Sequence, residues 1–560
     1  MITRFLKPST SKGETVKIKY DKILGKLREE DSPVNPETSY VYGLDYCWAN
    51  YQCKTVTLNH AHDEYGDALR YDYPQTLDFM PAHNTRRCLM TDLDNETINY
   101  YCHPANSALK EDGTAAVLTG ADGDVMVECR PNYWRYDVYT DTQGRTHIVT
   151  LVSDVQFNAS EPDPFFYVSR GGKTLKTQYV GAFKGVLCDA SGVAKTQSAE
   201  GTPVSFATGN KMRSIAGARP AATMNRATMR TAAVNNGGTL VNFLFNAWAE
   251  RMIAIKVGTY NTQTGISAGF SNLSAWDYAA LRKTGRTASL GNGDGSILAD
   301  DAGLDADLLT MKSGGTIWNN VAADQRIVAC AALGFEDLWG SQFTFDDGIQ
   351  WHQSVALNHI QVSDVEYFRD PTKDNTIASG NVAYGWTSAA SVTIWTAANR
   401  PAANAAVYSD NTKTTSAGTV TSYTEDVSQN GYWITSDIDS YSLLDTDRGY
   451  GNESGVFPST GYTGPTYVWV HHTAPEASGY INAFNPHTFL PTSLGGNTTN
   501  GVGDYFYAEA TAGARVVCRG GYVTGGAYCG LACVRVNLGL TFAGASLGCR
   551  VAARGPQEAA

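Results

Sequence analysis

An α+β fold with a β-rich N-terminal region and a large β-rich insertion is predicted by three features of this 560-residue chain. Short runs of alternating apolar and polar residues, divided by turn clusters, recur through residues 38–205, and a period of two marks half-buried strands. One segment, Leu240 to Val257, reads as a helix, with Thr239 as N-cap and Gly258 as stop. Gly (55) and Tyr (31) are abundant while charged residues are 18%, a mix suited to loop-rich β architecture.

Taken in order, residues 1–37 begin basic, with Lys7, Lys12, Lys17, Lys19, Lys22, Lys26 and Arg28. Asp21 to Glu30 is expected to form a short helix with Ile23, Leu24 and Leu27 as its stripe, too short to stand alone. The region reads as an attachment arm or, alternatively, as a solvated terminus. Residues 38–205 carry strand-like runs such as SYVYGLDYCWANYQC, TINYYCHP and THIVTLVSDV. In residues 206–364, Val241, Leu244, Trp248, Met252 and Ile255 give the main helix one apolar face. A weaker helix is expected over Met224 to Ala233, and a further short one over residues 272–283. Residues 365–470 form a Thr/Ser/Ala-rich block with runs such as SVTIWTAA and TYVWVHH, read as a β-rich insertion. Residues 471–560 close the chain.

Composition bounds the function classes. Apolar residues make up 42%, enough for a sizeable core. The net charge of −12 argues against nucleic acid or an anionic membrane as partner. No run approaches the ~20 apolar residues of a membrane span. The first twenty residues lack the apolar core of a secretory signal, so export is expected by another route, such as lysis as part of a virion. The 11 cysteines are odd in number and irregular in spacing, which favours reduced, mostly buried thiols over a disulfide framework.

Candidate chemistry is sparse. His60-Ala61-His62-Asp63-Glu64 could offer two imidazoles to a metal, but no third ligand is placed by spacing, and a solvated loop is the stronger reading. Asn292-Gly293-Asp294-Gly295, with Asp300, Asp301, Asp305 and Asp307, suggests Ca²⁺ but lacks the frame of an EF-hand loop, and reads as a surface acidic loop. His471-His472 would point to opposite faces of a strand. Cys529, Cys533 and Cys549 stand among Gly, Ala, Val and Leu, with only Arg535 and Arg550 charged nearby, a poor setting for a thiolate. No catalytic group, metal or cofactor is therefore expected. Glu336, Asp337, Trp339 and Gly340 read as fold-holding residues, the indole N–H needing a carboxylate or backbone acceptor.

The last sixty residues are the most informative. After a strand-like run from Asp504 to Ala508 and a second from Ala514 to Arg519, Gly520-Gly521 opens a glycine-spaced stretch ending in Leu547-Gly548-Cys549-Arg550-Val551. Tyr522, Val523, Tyr528, Leu538 and Phe542 sit where turn chemistry favours small polar residues, which suggests a binding surface. This stretch resembles the variable region of proteins diversified by retroelements, which have a C-type lectin fold related to the formylglycine-generating enzymes. Known members include phage receptor-binding proteins of the major tropism determinant type. The family pattern runs GG-x-W-x-x-G-x-x-x-G-L and closes on I-G-F-R. Gly520, Gly521, Gly526, Gly530, Leu531, Gly548 and Arg550 match in register, while Val523 replaces Trp and Cys549 replaces Phe. Four further segments resemble family segments in order: Gly120 to Cys129 (followed by Arg130-Pro131), Arg213 to Ala218, Leu333 to Ile349, and Phe489 to Gly496.

The resemblance implies a lectin domain built from residues 206–364 and 471–560, split by the insertion, with a variable region at about 514–551. It implies ligand-binding residues Tyr522, Thr524, Tyr528, Arg535, Leu538, Phe542 and Ser546, clustered on one solvent-facing patch over a scaffold of Gly520, Gly521, Gly526, Gly530, Leu531, Gly548 and Arg550. In this family a template's adenines are altered, and AAY codons then give fifteen amino acids but never Trp, Met, Lys, Gln or Glu. None of those five occurs from Gly520 to Cys549. The implied role is host attachment from a phage tail tip or fibre, as a homotrimer, with a host-surface protein or glycan as receptor and other tail proteins held through the N-terminal region. A bacterial or prophage-derived ligand-binding protein is the alternative, and a copper-dependent oxidase using the cysteines a third.

Overall fold

The computed structural model describes residues 18–21, 26–29, 40–59, 85–153, 161–169, 172–195, 203–272, 281–298, 328–353, 358–363, 432–434, 467–472, 477–486, 488–509, 513–539 and 541–553. Strands dominate: the described residues form seven sheets and only three α-helices. The α+β expectation is thereby corrected to a β-rich fold. The alternating runs do become strands, whereas segments with helical spacing contribute little. The short helix expected over Asp21 to Glu30 is instead part of a hairpin, Ile18–Asp21 paired antiparallel with Lys26–Glu29. The proposed His60–Glu64 metal pair, residues 300–307, most of the insertion and most of the third expected helix lie outside the described residues.

Three sheets build the body. A five-stranded sheet runs in the order Glu161–Pro162, Tyr133–Thr140, Thr146–Ser153, Tyr40–Cys47, Gln52–Asn59. A seven-stranded sheet places the final strand, Val551–Ala553, between Gly238–Leu240 and Gln178–Gly181. The largest sheet is centred on Phe343–Gln353, flanked by Asn358–Ser363 and Gly513–Arg519. It continues through Val534–Gly539, Tyr505–Tyr507, Gly479–Phe484 and Pro491–Leu494.

The main helix spans Phe243–Val257. Its N-cap is Asn242, whose side chain accepts from the Phe245 amide at 3.0 Å, not Thr239. Thr239 is taken up by the strand that pairs with Val551–Ala553. Gly258 adopts the left-handed conformation (φ 75°) expected of the stop. The expected single apolar face is also corrected. Residues 243–255 are all buried, because the helix lies between the five-stranded sheet and the Phe343–Gln353 strand, and a helix enclosed on all sides needs no polar face. The second helix, Arg226–Val234, is capped by Asn225, which accepts from Thr228 at 2.8 Å.

The main core joins both ends of the chain. Phe165, Phe166, Phe245, Trp248 and Phe335 pack ring against ring, and Tyr46, Tyr260, Phe484 and Phe489 form a neighbouring aromatic group. Trp248 donates its indole N–H to Asn132 at 3.1 Å, so the buried polar edge is satisfied.

Candidate ligand-binding surface

The segments that carry the sequence resemblance meet in space around the C-terminal stretch. Asp124 accepts from the Ser214 amide (2.7 Å) and from Arg213 (3.2 Å), tying the first segment to the second. Arg550, 1% exposed, donates to the carbonyls of Gly181 (2.7 Å) and Glu336 (2.5 Å). Arg519 pairs with Asp346 (3.0 Å) and donates to the Phe489 carbonyl (3.1 Å). Gly340 donates to the Gly520 carbonyl at 2.6 Å. Glu336 and Asp337 are buried. Glu336 accepts from Gly285 and Thr287, and Asp337 from Arg282 and Cys330. Trp339 is fully buried and gives its N–H to the Ser267 carbonyl at 2.8 Å. These residues hold the fold, as their composition suggested.

The turns beneath the surface are fixed by glycine. Gly520 and Gly521 both have positive φ (86° and 70°). A Cβ on Gly520 would lie 2.4 Å from the Leu338 carbonyl oxygen, and one on Gly521 would lie 2.3 Å from the Cys529 side chain. Gly530 is excluded from change by a different contact. A Cβ there would meet Asp504 Oδ1 at 2.2 Å. Asp504 is fully buried and its carboxylate accepts from the amides of Gly530 and Ala532, each at 2.8 Å, which pins the turn. Leu531 and Gly548 are buried, and Val523 and Cys549, the two departures from the family pattern, keep buried positions at 0% and 1% exposure.

Above this scaffold the expected site residues separate. Tyr522, Tyr528 and Arg535 belong to one surface connected by ring contacts. Tyr522 stacks on Phe343 (centroids 5.4 Å apart), Phe343 meets Tyr507 edge-on at 6.3 Å, and Tyr507 meets Tyr505 at 4.8 Å. Tyr505 meets Tyr528 at 5.1 Å. The Arg535 guanidinium lies 5.6 Å from the Phe343 centroid and donates through Nε to Asn537 at 2.7 Å. Tyr528 and Phe542 are each 41% exposed, and Thr524 and Ser546 are half-buried. The Ser546 carbonyl accepts from the Phe343 amide at 2.9 Å, which seats its backbone beside the aromatic surface. Leu538 is the correction: it is 6% exposed and packs with Val516, Cys518 and Phe343. In Val534–Gly539 the even-numbered residues are buried and the odd ones half-exposed, so Asn537, not Leu538, shares the outer face with Arg535.

Sequence reasoning missed Tyr480, Tyr505, Tyr507 and Asn537. The available signal was the alternation of Tyr505-Phe506-Tyr507, in which Phe506 is buried and both tyrosines stay half-exposed.

The remaining candidates are structural. Asp294 is held by Lys256 (2.7 Å) and the Leu333 amide (2.8 Å), and Asn292 accepts from Arg87. The side chains of His471 and His472 lie outside the described residues, though the backbone register pairs His471 with His359. Cys529, Cys533 and Cys549 are all buried. Burial pushes the Cys533 thiol well up and that of Cys549 up to about 12, so both are held as protonated thiols at neutral pH. No protein-family model matches the chain, and no curated protein matches it.

Proposed function

We propose that the chain is a ligand-binding protein that presents a replaceable surface on a fixed scaffold, and that it acts as the receptor-binding protein of a phage tail or tail fibre diversified by a retroelement. The observation that carries this reading is the surface of ring contacts running from Tyr522 and Arg535 to Tyr528, beside turns fixed at Gly520, Gly521 and Gly530 by close contacts and by the buried Asp504. Large aromatic and guanidinium groups placed outward on rigid backbone suit recognition, and Tyr and Arg are the residues that most often anchor interfaces. The freedom of this segment from Trp, Met, Lys, Gln and Glu supports diversification through AAY codons. The role in this reading is binding and not catalysis: the three cysteines are buried, and burial raises the thiols of Cys533 and Cys549, which makes them weak nucleophiles. A symmetric oligomer, a homotrimer in this reading, would multiply weak contacts at a cell surface.

The neighbouring genes test the proposal. A reverse-transcriptase gene beside a near-copy of the coding segment for residues 514–551, differing from it at adenines, is expected, with tail genes nearby. A neighbourhood without reverse transcriptase or template copy would overturn diversification, and one with both but without tail genes would point to a bacterial binding protein.

A further inference from the structure

We propose that Tyr480 and Tyr505, which lie outside the replaceable segment, form a fixed half of the ligand-binding surface, and that the surface they share with Tyr528 takes a folded protein. The inference rests on the reading of this face as a binding surface.

Its geometry is set by sheet register. Gly479–Phe484 pairs antiparallel with Tyr505–Tyr507, and the pair Tyr480↔Tyr505 places both rings on the same face. Phe506, one residue on, points the other way into the core. The two tyrosines meet edge-on with centroids 5.3 Å apart, and Tyr528 closes the triangle at 5.6 Å from Tyr480 and 5.1 Å from Tyr505. Whatever side chain stands at position 528 therefore rests against two phenols supplied by other strands. A ligand that reaches position 528 also reaches them, because all three rings are partly exposed on one face.

The chemistry favours a protein. Tyr gives a large, stiff, amphipathic contact with only two side-chain torsions to immobilise, and Tyr, Ser, Gly and Asn with occasional Arg are what protein-binding loops use. The surface presents phenols and one guanidinium, Arg535, which suits a partner offering carboxylates or backbone carbonyls.

A display experiment separates the claims. The full chain is displayed with positions 524, 528, 535 and 542 randomised, and sorted against biotinylated lysozyme and, in parallel, biotinylated dextran. Tyr480→Ala and Tyr505→Ala are then introduced into the clones recovered. Lysozyme binders are expected, and each alanine change should weaken them at least tenfold whatever residues occupy the randomised positions, while Tyr480→Phe and Tyr505→Phe retain most of the affinity. If an alanine variant loses its cooperative melt, Tyr480→Leu or Tyr505→Leu, apolar but ringless, takes its place. Lysozyme binders indifferent to both tyrosines would overturn the fixed half while leaving the binding surface intact. Clones that bind dextran alone would overturn the protein partner. A library yielding no binder to either target would sink the surface reading and this inference with it.

Discussion

At the residue scale, burial sets what each polar group can do. Glu250 stands in the middle of the main helix with no exposure, and neither carboxylate oxygen has a hydrogen-bond partner among the described residues. Burial, opposed by Arg519 and reinforced by Asp504, pushes its carboxyl well above the usual range. The folded protein thus keeps a proton on Glu250 at pH values where the unfolded chain, near its ordinary 4.5, has released it. The sign follows: the contribution of Glu250 to stability is fullest below about 4.5 and falls as pH rises towards the folded-state value. Glu250→Gln removes that dependence, so its stability advantage over the parent should grow between pH 5 and 8, by at most about 1.4 kcal/mol per unit. Urea melts at several pH values measure this, and a difference constant with pH would refute the assignment. Residue-level features were unevenly legible in the sequence. The glycine turns and Trp339 could be read because their chemistry is local. Glu250 could not, since nothing in its neighbours announces that the helix is enclosed on every side. Leu538 was misplaced for the related reason that apolar character alone does not tell which face of a strand it occupies.

At the scale of elements, the binding turn is a loop held by a strand. Asp504 immediately precedes the Tyr505–Tyr507 strand and reaches the amides of Gly530 and Ala532. A carboxylate can accept both bonds with separate oxygens, whereas an amide offers only one oxygen and turns a donor towards the second N–H. Asp504→Asn should therefore speed hydrogen exchange at Gly530 to Cys533 and cost about 1–3 kcal/mol of stability. Unchanged protection of those amides would show that the turn is held by other contacts. The alternating runs were correctly legible as strands because period two is a strong local signal. The hairpin at Ile18–Glu29 was not, since four-residue segments carry too few side chains to separate helix from strand. The single apolar face expected of the main helix missed its second sheet, because the five-stranded and ten-stranded sheets that enclose it come from opposite ends of the chain.

At the scale of the whole molecule, function and stability are assigned to different parts of one C-terminal stretch. Gly520, Gly548, Leu531 and Arg550 bind this stretch to segments distant in the chain, Gly521 and Gly530 fix its turns against Cys529 and Asp504, and Tyr528, Phe542, Thr524 and Arg535 lie at least partly exposed. Ordered sequence matches made the first set visible. The second set was visible only in part, because Tyr480 and Tyr505, which complete the surface, and the buried Phe343 beneath it are brought in by sheet pairing that no local pattern encodes. The most direct test of this division is the melting temperature of a variant in which Thr524, Tyr528, Arg535 and Phe542 are all alanine, set beside that of Gly521→Ala. The fourfold variant should melt cooperatively within a few degrees of the parent, since Tyr528 and Phe542 are exposed and Thr524 and Arg535 half-exposed, and surface substitutions usually change stability by about 0.5 kcal/mol or less each. The single glycine change, forcing a Cβ into Cys529 at positive φ, should cost about 1–3 kcal/mol and melt lower. A fourfold variant that unfolds, or that melts below Gly521→Ala, would mean that these side chains hold the fold rather than the ligand.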